Sequence, residues 1–226
     1  MFGNMKNFIN KYKIVLIILI IIIFVIILGI SYKLYTNNKQ KKINEPNILC
    51  NIAPADKEII INNLEIPKIN TGLRFTLSKW IYVSDWNIIK NDKKRHIILW
   101  KNNKNGLSLY MDSLNNNLHC DWSINYENNK EHINSVIIED ISLQKWINIV
   151  IVLENRNLDI FIDGKLEKSK KINLPPILKK TDMIICPFDG FAGFISNVKY
   201  YNRAISKSEI KSIFNKGHKC SSIKFW

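Results

Sequence analysis

Arginine, glycine and alanine are scarce in this sequence, and a glycosylation sequon is absent. Arg74, Arg95, Arg156 and Arg203 are its only arginines, and lysines spread along all 226 residues give a formal net charge of +14. Nucleic-acid-binding proteins concentrate such charge in a stripe or patch. The spread instead favours a general attraction to anionic surfaces, lipid headgroups or acidic polysaccharide. The missing Asn-x-Ser/Thr sequon fits a bacterial or viral protein better than a eukaryotic secreted one.

Polar side chains are also absent from residues 14–30, which read IVLIILIIIIFVIILGI. This run reaches the lower limit of roughly 17 apolar residues for a membrane span. Tyr12, Tyr32 and nearby lysines occupy its ends, where interfacial side chains are expected. A cleaved signal peptide is the alternative, but its apolar core is shorter, roughly 7–15 residues. We predict a basic tail (1–13), one transmembrane helix (14–32) and a polar linker (33–49).

After residue 50, short apolar runs alternate with polar turns, without βαβ alternation or a fixed repeat. In the centre, the Ile- and Val-rich runs Ile147–Leu153 and Leu158–Ile162 flank a polar tetrapeptide. They predict a β-hairpin whose first strand is covered on both faces. Further strands are predicted at Ile59–Ile61, Leu64–Ile66, Arg74–Val83, Ile97–Lys101, Leu107–Asp112, Leu118–Ile124, Ser135–Ile138 and Met183–Cys186. Many short strands of this kind indicate an all-β sandwich or barrel.

The C-terminal stretch changes pattern and carries a resemblance. Ser206 and Glu209 form a capping box that predicts a short helix through Phe214, with Gly217 as its stop. The stretch Phe191–Phe214 resembles the last strand and helix of laminin-G-like domains in the concanavalin A-like lectin/glucanase superfamily. Its matching elements are Phe191, Gly193, Ile195, Tyr200–Ala204 and Ser206–Ile210. Two earlier parts of the chain also resemble elements of this family. One is the hairpin, with Trp146 and the turn Ile162–Lys165, and the other is the strand Phe75–Trp80.

The resemblance implies an all-β fold, a two-sheet antiparallel jelly-roll sandwich over residues 50–222 with a short C-terminal helix. It also implies that the chain ends lie close together, so that Cys50 and Cys220 are neighbours and candidates for a disulfide. From the residues alone, the four cysteines allow three pairings. Cys120 and Cys186 lie in strand-like runs, where buried thiols are common.

Catalytic and metal-binding patterns are weak. Glycoside hydrolases of this superfamily carry an E-x-D-x-x-E pattern that is absent here, and the adjacent Glu139 and Asp140 would point to opposite faces of a strand. Calcium often supports ligand binding in lectin-like domains. The candidate calcium ligands are Asp85, Asp112, Asp121, Asp182 and Asp189, which form no dense cluster. We predict no enzyme and no required cofactor, with calcium left open.

Aromatic residues beside Asn and Asp are the remaining indication of function. A flat ring stacks under a sugar while neighbouring polar groups bond its hydroxyls. The candidate ligand-binding residues are Asp85, Trp86, Asp121, Trp122, Asn125 and Tyr126. Core packing is the alternative for each tryptophan, above all for Trp80, Trp100 and Trp146.

We therefore predict a single-pass membrane protein that recognises or adheres to carbohydrate or glycoconjugate. The lysines around the predicted span nearly balance, and the cysteines favour an outward-facing domain, at a cell surface or virion membrane. Composition and architecture resemble proteins of large AT-rich DNA viruses. The alternatives are a scaffolding protein that uses the sandwich for protein–protein contact and, less favoured, a degenerate glycoside hydrolase.

Overall fold

The N-terminal part of the chain is one long helix. A computed structural model describes residues 2–67, 74–85, 94–101, 106–125, 131–173, 178 and 181–220, and the chain divides into two units, Met1–Ile43 and Asn44–Trp226. Helix α1 (Phe2–Asn44) forms the first unit. Its stretch Val15–Lys41 is long and apolar enough to cross a membrane, a property that signal sequences share.

The predicted apolar helix is thus present, and it continues through residues 33–44 of the stretch that we predicted as a linker. Lysine and glutamine are good helix formers, which explains the continuation. The assignment of 33–49 as a linker and of 50–222 as the domain stays a prediction.

The second unit contains two β-sheets that pack face to face. Its strands are β1 (Asn47–Leu49), β2 (Ala53–Pro54), β3 (Ile59–Ile61), β4 (Arg74–Val83), β5 (Arg95–Lys101), β6 (Gly106–Met111), β7 (Leu118–Asn125), β8 (Glu131–Ile138), β9 (Trp146–Glu154), β10 (Asn157–Ile162), β11 (Lys165–Lys171), β12 (Met183–Ile185) and β13 (Gly193–Tyr201). Sheet A has the order β1-β13-β4-β9-β10-β11, with β2 also on β13, and sheet B has the order β3-β12-β5-β6-β7-β8. The pairings among these described strands are antiparallel. The predicted two-sheet sandwich is confirmed.

The position of the central hairpin in sheet A accounts for its apolar sequence. β9 and β10 pair directly across a turn in which Asn155 has a φ of 56°. Ile149 and Ile151 of β9 point into the core between the sheets, whereas Val150 and Val152 belong to a second apolar cluster on the outward face of sheet A. Because both faces are covered, β9 is apolar at nearly every position.

The core between the sheets includes one buried amine. Lys79 is in phase with the core residues Leu77 and Ile81 of β4, and its side chain is fully buried without a hydrogen-bond partner for Nζ. Burial lowers the pKa of Lys79 to about 7, against a smaller opposite effect of Cys120 on β7. The amine therefore loses its charge within the physiological pH range.

The outward face of sheet A is covered by helix α2 (Lys207–Lys216), which confirms the predicted C-terminal helix. The capping box is formed as predicted, since the Ser206 hydroxyl accepts from the Glu209 N–H and the Glu209 carboxylate accepts from the Ser206 N–H. Phe214 stacks on Trp80 at 5.8 Å between ring centroids. The part of this face under α2 is thus closed by side chains of the chain itself.

The chain ends of the sandwich are joined by a disulfide between Cys50 and Cys220, whose Cα atoms lie 5.3 Å apart. Cys120 and Cys186 are free and buried. Because a covalent link that closes a loop of this length restrains the unfolded chain strongly, it adds to the stability of the fold.

The structure differs from the predictions made from sequence at Leu64–Ile66 and at β11, and it adds the short strands β1 and β2. Leu64–Ile66 is a turn, not a strand, because the Asn62 side chain accepts from the Leu64 N–H at 2.9 Å and the Asn62 carbonyl accepts from the Glu65 N–H at 2.9 Å. β11 was not predicted, because its residues are all exposed and show no apolar alternation. Pairing with β10 alone makes it a strand.

Candidate functional site on the outward face of sheet B

The outward face of sheet B carries polar and aromatic side chains. In β6 and β7 the core-facing residues are Leu107, Leu109, Met111, Leu118, Cys120 and Trp122. Side chains alternate between the two faces of a strand. The outward residues are therefore Ser108, Tyr110, His119, Asp121 and Ser123.

Tyr110 is the centre of this face. Its hydroxyl donates to Asp121 Oδ2 at 2.8 Å and accepts from Lys94 Nζ at 3.2 Å. The Lys94 ammonium also lies 4.3 Å from the centroid of the Tyr110 ring, within cation–π distance. Burial, together with the hydrogen bond to Asp121, raises the pKa of Tyr110. The hydroxyl therefore stays protonated and fixes the carboxylate.

Four rings form a row across this face, the aromatic row of Phe188, His96, Tyr110 and His119. The Tyr110 and His119 rings stack with centroids 5.0 Å apart and an interplanar angle of 11°. His96 lies 5.6 Å from Tyr110 and 5.2 Å from Phe188. Phe188 is 62% exposed. The row thus offers ring surface at a solvent-accessible end.

The turn after β12 holds Phe188 at the end of the row. The Cys186 N–H donates to the Ile97 carbonyl at 2.9 Å, which fixes the turn to β5. Gly190 has a φ of 42°, and a Cβ there would lie 2.0 Å from the Ala55 carbonyl oxygen. Only glycine fits this close approach, so the position of Phe188 is built into the backbone.

Polar atoms on the same face are buried without hydrogen-bond partners. They are His96 Nδ1, His119 Nε2, Asp121 Oδ1, Ser123 Oγ and Ser135 Oγ. Ser135 belongs to this group because it pairs with Asp121 across β7 and β8. Burial, with a contribution from Lys94, lowers the pKa of His96, so this imidazole is neutral at pH 7. Unsatisfied buried polar groups are costly, so this cluster is a polar feature that packing of the fold alone does not explain.

The predicted site residues are divided by the fold. Asp121 lies at the centre of the outward face, while its neighbour Trp122 is 2% exposed and packs in the core. Asp85 is an exposed residue that follows β4 of sheet A. Trp86 and Tyr126 lie outside the described residues, as does the side chain of Asn125 at the end of β7.

Asp112, one of the carboxylates near Tyr110, does not have the raised pKa of a glycosidase general acid. Asp112 Oδ2 lies 3.8 Å from His119 Nε2. Burial acts to raise the pKa of Asp112, but the N–H groups of Leu114 and Ser113, with His119, outweigh it and lower that pKa. A glycosidase general acid needs a raised pKa. Within the described ranges, no three His, Cys, Asp or Glu side chains converge to hold a metal ion.

Comparison with known proteins assigns the family. The model of the concanavalin A-like lectin/glucanases superfamily, in its laminin G type, matches residues 59–211. The chain therefore belongs to this superfamily. Among curated protein sequences, none matches it significantly.

Solved structures of botulinum neurotoxin binding domains share the fold. The receptor-binding domain of serotype D is 18% identical with a TM-score of 0.55, over 71% of this chain and 41% of that one. The serotype DC binding domain in complex with SialylT is 21% identical (TM-score 0.55), over 70% of this chain and 39% of that one. The same domain in complex with rat synaptotagmin II is 17% identical with a TM-score of 0.52, over 70% of this chain and 40% of that one. This chain thus spans less than half of the toxin domains that it matches.

Sequence reasoning missed every member of the aromatic row. Tyr110 and His119 stand between core residues in strands that were predicted, so strand alternation alone would have placed them outward. The pairing of β5 with β6 and of β6 with β7 brings His96 and His119 beside Tyr110. No local pattern indicates this pairing, and none indicates Phe188, which reaches the row from a turn.

Proposed function

We propose that this protein is a membrane-anchored recognition or adhesion protein whose sandwich binds carbohydrate or glycoconjugate without catalysis. The observation that carries the proposal is the outward face of sheet B. There Tyr110 and its ring neighbours lie among polar atoms without partners. Rings that stack on sugar faces and polar groups that bond hydroxyls are the two elements of a glycan site.

Further support comes from the family and from α1. A lectin-like superfamily is a common source of glycan-binding domains, and one neighbouring toxin domain was solved in complex with SialylT. The apolar stretch of α1 suits a single membrane span, with the sandwich facing outward at a cell surface or on a virion membrane. An origin in a large DNA virus remains part of the proposal and rests on composition.

A scaffolding role is the second candidate, and a specific surface favours it. On sheet A, outside the cover of α2, Phe194, Tyr82 and Trp146 form neighbouring rings at 6.3 Å and 5.7 Å. Phe194 is 42% exposed. Apolar surface of this kind suits contact with a protein, and one neighbouring toxin domain was solved in complex with rat synaptotagmin II.

A glycan array separates the two candidates. The full chain, oxidised and reconstituted in lipid nanodiscs, would be tested with and without calcium. We expect saturable binding that Tyr110→Ala abolishes and that the matched change on sheet A, Tyr82→Ala, leaves intact. Both variants must keep the wild-type circular dichroism spectrum. A blank array, or binding lost only in Tyr82→Ala, would contradict the proposed site.

A further inference from the structure

The edge strand β11 next to the candidate site is strongly basic. Its sequence, KLEKSKK, contains four lysines and one glutamate, and all of its residues are exposed. β11 is the last strand of sheet A, so its outer side pairs with no other strand of that sheet among the described residues. An uncovered row of cations at a sheet edge is a surface for an anionic partner.

A β-bulge directs three of these lysines to one side. Across β10 and β11, the pairs are Ile162 with Lys165, Ile160 with Lys168 and Leu158 with Lys170, and the register shifts between Ile160 and Phe161. Directly paired residues share a face of the sheet, and Leu158 and Ile160 face the core. Without the extra residue of the bulge, Lys168 and Lys170 would lie on the side opposite to Lys165.

This lysine side (Lys165, Lys168 and Lys170) continues into the candidate glycan site. Lys170 Nζ donates to the carbonyl oxygen of Ser135 at 2.9 Å and lies 5.5 Å from the Trp122 ring centroid. Ser135 is the neighbour of Asp121 on β8, the edge strand of sheet B. A glycan that leaves the outward face of sheet B across β8 therefore meets the lysines next.

The lysine side forms no ion pair among the described residues, although Glu167 lies in the same strand. Ion pairs are formed elsewhere, and none involves Lys165, Lys168 or Lys170. The nearest acidic residue of β10, Asp159, faces the opposite side, where it accepts from the Ser169 hydroxyl at 2.5 Å. No ion pair among the described residues therefore holds these three lysines, and the Lys170 ammonium contacts the Ser135 carbonyl and the Trp122 ring.

We propose that the glycan bound at sheet B is acidic, and that Lys165, Lys168 and Lys170 bind its carboxylate or sulfate groups. This inference rests on the proposed function. The lysines span roughly 16 Å, at about 3.3 Å per residue along a strand, which suits anionic groups repeated along one linear chain. Lysines and bulges also keep edge strands from pairing with other chains, so the test has to separate the two roles.

The test uses matched pairs of glycans. Sialylated, sulfated and uronic-acid glycans, each printed beside its neutral parent, are probed with the full chain in nanodiscs. We expect the acidic member to bind about tenfold more tightly or better, with a preference that falls as salt rises. The triple variant Lys165→Gln/Lys168→Gln/Lys170→Gln should bring the acidic-to-neutral ratio close to one.

The control variant removes the same charge elsewhere. Lys207→Gln/Lys211→Gln/Lys216→Gln changes three lysines of α2 on the outward side of sheet A and should keep the acidic preference. Preference lost equally in both triple variants, or kept in the β11 variant, would overturn the inference. So would wild-type binding to neutral glycans alone, which leaves the proposed function standing. A blank array overturns both. Sedimentation of the β11 variant checks that an altered ratio does not come from strand-edge association.

Discussion

The two outward faces of the sandwich differ in how they are covered. On sheet A, α2 packs against Val150 and Val152, and Phe214 stacks on Trp80. On sheet B no helix covers the face among the described residues, and the rings around Tyr110 lie among unpartnered polar atoms. The comparison teaches that similar aromatic side chains pack under a helix on one face, whereas on the other they lie beside polar atoms that the fold leaves unpaired, the face that we propose as the ligand site. Predictions that separate stability from binding test it.

The largest expected effect comes from breaking the covered face. Trp80→Ala removes a ring that is 4% exposed and stacked on Phe214, so the free energy of unfolding should fall by about 3–5 kcal/mol. Urea denaturation followed by circular dichroism measures the change. Glycan affinity at 10 °C, where the variant is still folded, should stay within twofold of the wild type. A loss of affinity with unchanged stability would reverse the roles of the two faces.

The second prediction concerns Lys79, which lies in the core between the two sheets. Its substitution should raise the free energy of unfolding, whereas Trp80→Ala lowers it. Because Lys79 is buried with its pKa lowered to about 7, the unfolded chain binds more protons between pH 7 and the ordinary lysine range. Stability from this group is therefore lost as pH falls towards 7. Lys79→Met should raise the free energy of unfolding by up to about 4 kcal/mol at pH 7.

This gain should shrink as the pH approaches 10, where the unfolded lysine also loses its proton. Urea denaturation of both proteins at pH 7, 8.5 and 10 tests the trend. A constant difference between Lys79→Met and the wild type across these pH values would show that the amine is not buried as described.

A smaller loss of stability is expected at the N-cap of α2, on the covered face. Ser206→Ala removes the N-cap hydroxyl that accepts from the Glu209 N–H at 3.3 Å and should cost about 1 kcal/mol. Thermal melting measures the loss, and Ser212→Ala, at an exposed position inside α2, is the control. Glycan binding should be unchanged, because α2 lies on sheet A. Equal melting temperatures for the two variants would contradict the role of the cap.

Local patterns predicted some parts of this molecule and not others. The hairpin of β9 and β10 and the capping box of α2 depend on residues close in sequence, so both were predicted. Leu64–Ile66 was misassigned because the Asn62 side chain closes a turn that competes with a strand. β11 was missed because an exposed edge strand needs only a partner, not an apolar pattern.

The candidate site was predicted only in part, for a geometric reason. Asp121 and Trp122 are adjacent in sequence and were assigned to one site, but strand alternation sends them to opposite faces. The aromatic row is assembled from β5, β6, β7 and the turn after β12, which sequence distance separates. Its members can be assigned to one site only when the order of the strands is known.

The central claim is that a glycan binds on the outward face of sheet B. Its most direct test is calorimetric titration of the tightest-binding glycan from the array into two variants, one at Asp121 and one at Trp122. Asp121→Asn changes the outward face, and Trp122→Phe changes the core. We predict that Asp121→Asn weakens binding about tenfold, as the loss of a charged hydrogen-bond acceptor does, and leaves unfolding nearly unchanged. Trp122→Phe should lower stability by about 1–3 kcal/mol and keep the affinity. Full affinity in Asp121→Asn, with affinity lost in a folded Trp122→Phe, would contradict a glycan site on the outward face of sheet B.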